Sequence, residues 1–138
     1  MKFFFICLII FIACAGEMVA QENQKVQVVS IKKPQILYGT ASFYANKFEG
    51  RETANGEIFS QKKMTAACNV LPLGTWIRVT NLYNGLSVIV KVNDRLHHRM
   101  KRVVDLSKAA ARQLHHVDGL IRVKVEVLGK KKPFGQSA

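Results

Sequence analysis

The chain has 138 residues, with 21 Lys and Arg against 9 Asp and Glu, for a formal net charge of +12. That length, less an apolar leader, is enough for one hydrophobic core and too short for two. So basic a balance points to an anionic partner. The Lys and Arg residues lack the interleaved aromatics on which bases stack, which argues against nucleic acid. Anionic polymers or lipid head groups outside the cell remain, beside a merely solvated surface.

Residues 1–20 read as a secretory signal: Lys2 supplies the positive charge and residues 3–13 form an apolar run. The run is well short of the roughly 20 residues a membrane-crossing helix needs. Cleavage after Ala20 is one reading. Phe11-Ile12-Ala13-Cys14 also makes an imperfect lipoprotein box, in which Cys14 would carry a lipid anchor and tether the chain to a membrane. Cleavage after Ala20 leaves the net charge at +12, since Lys2 and Glu17 leave together. Of the three cysteines only Cys68 then stays free, so no internal disulfide is expected and the domain depends on core packing.

Residues 21–35 are polar, weakly alternating and interrupted by Pro34, and read as a flexible tether. Strand signals follow at residues 36–45, 75–80, 87–92 and 121–127, the last with the clearest period of two. Asn84-Gly85 between the second and third marks a tight turn and hence a hairpin. One helix is expected over residues 105–114, Ala-rich, with Ser107 or Asp105 as N-cap. Residues 130–138 combine a lysine run with Pro and Gly and read as a disordered basic tail. Short strands, turn residues and a single helix predict a mainly β, closed or nearly closed barrel over residues 36–129.

Two carboxylates stand where sites are commonly built. Glu57 follows the Asn55-Gly56 turn, and Asp94, in Asn93-Asp94-Arg95, closes the strand of residues 87–92. Each also has a structural reading, Glu57 as a solvated turn residue and Asp94 as a turn cap paired with Arg95 or Arg99. The pairs His97-His98 and His115-His116 resemble metal ligands, but adjacent side chains do not converge on one ion, and no metal site is expected. Cys68 reads as a small buried apolar residue or a nucleophile, without a thiol-enzyme signature around it.

Gly39-Thr40-Ala41-Ser42-Phe43-Tyr44, Thr53-Ala54-Asn55-Gly56-Glu57, Thr65-Ala66-Ala67, Leu71-Pro72-Leu73-Gly74-Thr75, Val79-Thr80-Asn81, Val92-Asn93-Asp94-Arg95 and Val104-Asp105-Leu106-Ser107 occur in this order. Together they resemble the rare lipoprotein A (RlpA) family over about residues 38–128. The resemblance implies a six-stranded double-psi β-barrel with pseudo-twofold halves and one or two short helices. It also implies an exported, monomeric lytic transglycosylase of the bacterial envelope, without a cofactor. Such enzymes cut peptidoglycan glycan strands, preferably stripped of stem peptides, during wall remodelling or septation. A module that binds wall polysaccharide without cutting it is the alternative.

Carried over by position, Asp94 becomes the principal catalytic acid and Glu57 a second acidic residue of the groove. Asn55, Asn93, Arg95 and Cys68 become substrate-binding or tuning positions. The chain departs from the family pattern twice: Cys68 stands where the resemblance expects His, and Leu96-His97 where it expects Gly-Pro. A lytic transglycosylase uses no water. The sugar's own 6-hydroxyl attacks the anomeric carbon, so one carboxyl group can in principle donate the first proton and accept the second.

Overall fold

A computed structural model describes residues 32–135. The expected signal, the lipidation candidate Cys14, most of the tether and residues 136–138 lie outside them. Six strands and one helix follow in the order β1 (Ile36–Phe43), β2 (Thr65–Ala67), β3 (Trp76–Asn81), β4 (Ser87–Asp94), β5 (Val104–Leu106), α1 (Lys108–Gln113) and β6 (Ile121–Gly129). A single 3-10 turn, Asn46–Phe48, follows β1.

The strands close into a barrel in the order β1-β5-β2-β4-β3-β6. Two pairings are parallel, β1 with β5 and β2 with β4, and the other four are antiparallel. Exchanging β1 with β4, β2 with β5 and β3 with β6 leaves every pairing intact, which is the pseudo-twofold relation of a double-psi barrel. Alternation along the strands aims Val88, Val90 and Val92, Ile77 and Val79, and Val123 and Val125 into one core with Val104 and Leu106. Each such buried side chain contributes about 1.5–3 kcal/mol relative to exposure.

Four strands follow the pattern read from the sequence, with ends shifted by a few residues. β4 runs on through Asp94, so this carboxylate lies in the strand and not after it. β2 and β5 are three residues each, too short to show a period. The hairpin joining β3 and β4 pairs Thr80 with Ser87 and turns through residues 82–85, with Gly85 at φ 75° donating to the Asn81 carbonyl. Asn81 and Asn84 each donate from Nδ2 to the Leu114 carbonyl, tying this loop to the end of α1.

The helix is shorter than its composition suggests. Asp105 and Leu106 are taken by pairing with β1 and β2, so Asp105 is a strand residue and not an N-cap. Ser107, extended at ψ 156°, caps α1 by accepting from the Ala110 amide. Its buried hydroxyl also donates to the Lys63 carbonyl at 2.5 Å. Ser107→Ala removes the cap and orphans that carbonyl, and should lower stability by about 1–2 kcal/mol in urea denaturation.

Candidate active site

The floor of the site is a row of residues running across four adjacent strands. Ala67 of β2 is the cross-strand partner of Asp94 on β4 and of Asp105 on β5, and Asp105 in turn pairs with Ser42 on β1. A β-bulge sets this register. Thr65 pairs with Lys91 and Ala66 with Val92, but Ala67 pairs with Asp94, which leaves Asn93 as the extra residue.

Ala66 belongs to the barrel core, whereas Ala67 packs outside it with Tyr44, Phe59 and Leu96. Directly paired residues project to the same face, so Asp94 and Asp105 share the outer face with Ala67. Both line an open groove of about 460 Å³, bounded also by Tyr44, Phe48, Arg95, His97 and Arg102.

Asp94 is held entirely by donors. Tyr44 Oη donates to Oδ2 at 2.7 Å, and the amides of Ala54 and Arg95 donate to Oδ1 at 3.0 and 2.8 Å. Tyr44 is buried, with its ring stacked on Phe59 at 4.2 Å and edge-on to Phe48 at 5.7 Å. Burial, and then the hydrogen bond to Asp94, push the Tyr44 phenol well above its ordinary range, so it stays protonated and continues to donate.

Arg95 does not face the carboxylate it follows in sequence. Its Nη1 donates to the carbonyls of Cys68 and Leu71, the latter at 2.7 Å, so the guanidinium is spent on the loop after β2. The Leu96 amide donates to Asn69 Oδ1 at 2.8 Å, and Leu96 packs in the cluster over Ala67. The side chain that replaces the expected Gly thus becomes part of the groove wall.

Glu57 is elsewhere. Its Oε1 accepts from Lys91 Nζ at 2.6 Å and from Asn55 Nδ2 at 2.8 Å, and Oε2 accepts from Asn93 Nδ2 at 3.3 Å. The Lys91 contact is the largest cause holding Glu57 below the usual glutamate range, against a smaller opposing effect of burial. Glu57 does not line the groove that holds Asp94. It braces the turn of residues 53–57, whose Ala54 amide reaches Asp94 and whose Asn55 amide donates to the Asn93 carbonyl at 3.2 Å.

Asn55 and Asn93 therefore serve Glu57 and the turn, and the buried Asn93 keeps an unpartnered Oδ1. Cys68 is fully buried with the barrel core, and its thiol does not reach the groove. Among the described residues, no three His, Cys, Asp or Glu side chains gather as a metal site. His97 and His98 lie ring against ring at 4.3 Å, and His116 is buried against the Gly119 carbonyl.

Sequence reasoning passed over Tyr44, Ser42, Arg102 and the place of Asp105 in the groove. The signal for Asp105 was the alternation Val104-Asp105-Leu106, one polar residue between two that enter the core. Nothing local marks Tyr44 as the partner of a residue 50 positions away.

Residues 37–125 match the protein family described as "Lytic transglycolase". The chain belongs to that family. Over 91 residues it is 55% identical to the endolytic peptidoglycan transglycosylase RlpA of Pseudomonas aeruginosa, covering 65% of this chain and 27% of that protein. A probable endolytic peptidoglycan transglycosylase RlpA of a Synechocystis species is 44% identical over 115 residues, covering 83% of this chain and 35% of the relative. The chain thus spans well under half the length of these relatives.

Two solved structures share the fold. The apo expansin of Clavibacter michiganensis has a TM-score of 0.56 at 23% identity, over 72% of this chain and 53% of that one. The Streptomyces papain inhibitor has a TM-score of 0.55 at 22% identity, over 67% of this chain and 94% of that one. At such identities the likeness is one of fold alone, and it supports the double-psi barrel.

The bracing role of Glu57 has a pH signature. A carboxylate held below its ordinary range contributes stability above that range and loses it as pH falls through it. Lys91→Met should therefore lower the thermal midpoint at pH 7, and the difference from wild type should shrink as pH falls through the titration of Glu57. The Glu57 side chain is 36% exposed, so screening limits the loss at pH 7 to about 1 kcal/mol or less.

Proposed function

We propose that this barrel is an endolytic lytic transglycosylase of peptidoglycan, acting outside the cytoplasm on glycan strands and leaving 1,6-anhydro-muramoyl ends. The observation that carries the reading is Asp94: a carboxylate at the floor of an open groove, with its orientation set by Tyr44 and by two backbone amides. Membership of the lytic transglycolase family supports it. Hydrogen bonds from three separate segments hold this one side chain in place, as proton transfer in a transition state requires. Glu57 assists at a distance, by bracing the turn that presents the Ala54 amide.

The substrate preference follows from charge. Removing stem peptides from a glycan strand uncovers the lactyl carboxylates of its muramic acid residues. Lys47, Arg95 and Arg102 line the same groove as Asp94, within a chain of net charge +12. A cationic rim of this kind attracts an anionic, peptide-free strand. Wall remodelling or septation is the setting in which such strands are cut.

The purified protein, incubated with stem-free glycan strands, should release anhydro-sugar products detectable by mass spectrometry. Asp94→Asn should lower the rate by at least about 100-fold, the scale of a lost proton-transfer group. A wild-type protein that releases nothing under conditions where a relative is active would overturn the reading. One observation favours a second reading, a wall-binding barrel without turnover: the position expected to offer a polar histidine holds Cys68, buried in the core. Salt-sensitive binding to sacculi with no product released would establish it.

A further inference from the structure

The groove contains a second carboxyl group that its sequence position disguises as a helix cap. Asp105 and Asp94 flank Ala67 in one transverse row, two strands apart. Strand spacing places their Cα atoms roughly 10 Å from each other. Ala67, between them, is covered by Tyr44, Phe59 and Leu96, but both acidic side chains line the same groove of about 460 Å³. A glycosidic linkage bound in that groove would lie between two carboxyl groups.

The two acids have different surroundings. Asp94 accepts from three donors, two of them backbone amides that can only donate. Asp105 is largely withdrawn from water, its side chain only 14% exposed. Ser42 Oγ donates to its Oδ1 at 2.9 Å, and Arg102 sets Nε 3.0 Å from Oδ1 and Nη2 3.4 Å from Oδ2. The Arg102 Nε makes no aligned hydrogen bond, and Nη2 supplies the one that joins the pair. Burial is the largest influence on Asp105 and raises its proton affinity above the ordinary aspartate value, against the smaller effects of Ser42 and Arg102. Paired acids whose surroundings differ in this way can divide the roles of acid and base.

Building on the transglycosylase reading above, we infer that Asp105 is a second catalytic residue, giving its proton to the glycosidic oxygen while Asp94 takes the proton of the attacking 6-hydroxyl. The bond between the anomeric carbon and the leaving oxygen breaks as that oxygen receives the Asp105 proton. The 6-oxygen bonds to the anomeric carbon, and its proton passes to Asp94. No water, oxidant or metal enters the balance. Transfer of one proton from Asp94 to Asp105 through solvent restores the starting state.

The titratable and charged groups facing this reaction are Tyr44 after β1, Lys47 on the 3-10 turn, Asp94 and Arg95 at the end of β4, and His97 and Arg102 in the segment before β5. An acid that must begin protonated makes the rate fall as pH rises through its titration. The Ser42 hydrogen bond favours the charged form of Asp105. Ser42→Ala should therefore move the alkaline limb of the kcat profile to higher pH, a shift that a purely structural role for Asp105 would not produce.

The experiment compares wild type, Asp94→Asn, Asp105→Asn and Ser42→Ala on stem-free glycan strands, with thermal melts of each. Asp105→Asn should lower kcat by at least about 100-fold with its melt retained, and Ser42→Ala should shift the alkaline limb upward. If Asp94→Asn is inactive while Asp105→Asn stays within about threefold of wild type, one carboxyl group performs both transfers and this inference alone falls. If Asp105→Asn does not fold, the Ser42→Ala profile decides, and an unmoved limb overturns the assignment. A wild type without turnover removes the transglycosylase reading and this inference with it.

Discussion

Thr65, Ala66 and Ala67 bond on one side to β4 in parallel and on the other to β5 antiparallel, and these three residues hold the barrel closed. Everything at the site depends on that double pairing. A three-residue strand shared by two neighbours must be narrow, because each side chain lies either inside a packed barrel or beneath the loop layer on top of it. Alanine meets both conditions: Ala66 fits the core and Ala67 fits under Tyr44, Phe59 and Leu96. The same pairing brings Asp94 and Asp105 to opposite sides of Ala67, and the bulge at Asn93 selects Asp94 for that place.

Charge is partitioned around this row with little sharing. Asp94 draws on Tyr44 and two amides, Asp105 on Ser42 and Arg102, and Glu57 on Lys91 and two asparagines. Arg95, adjacent to Asp94 in sequence, turns to the carbonyls of the loop after β2. The donors to Asp94 are thus all uncharged, whereas Asp105 has a cation, Arg102, beside it. Glu57, satisfied on the far side of the turn of residues 53–57, transmits order to Asp94 through the backbone.

Cys68 and Leu96, which stand where the resemblance leads one to expect His and Gly, are both packed beneath the surface. Cys68 lies in the core, while its amide donates to the Asp94 carbonyl and its own carbonyl receives Arg95. Its backbone thus helps to seat the end of β4, although its side chain faces away from the groove. Leu96 adds an apolar contact to the cluster over Ala67, where a glycine would leave a gap.

Period-two alternation in residues 121–127 and the valines of β4 made the long strands legible, because a strand with one buried face writes its burial into every second residue. The ordered motifs pointed to the double-psi barrel and singled out Asp94. The two short strands left no period to read, and residues 105 and 106, which look like the start of an Ala-rich helix, are claimed by β1 and β2 instead. Which acids meet was decided only by folding. Glu57 and Asp94 carried the sequence reading, yet the carboxylate that shares the groove with Asp94 is Asp105. The reason is that register across a closed barrel is a property of six strands bonded at once, and no segment of the chain encodes it alone.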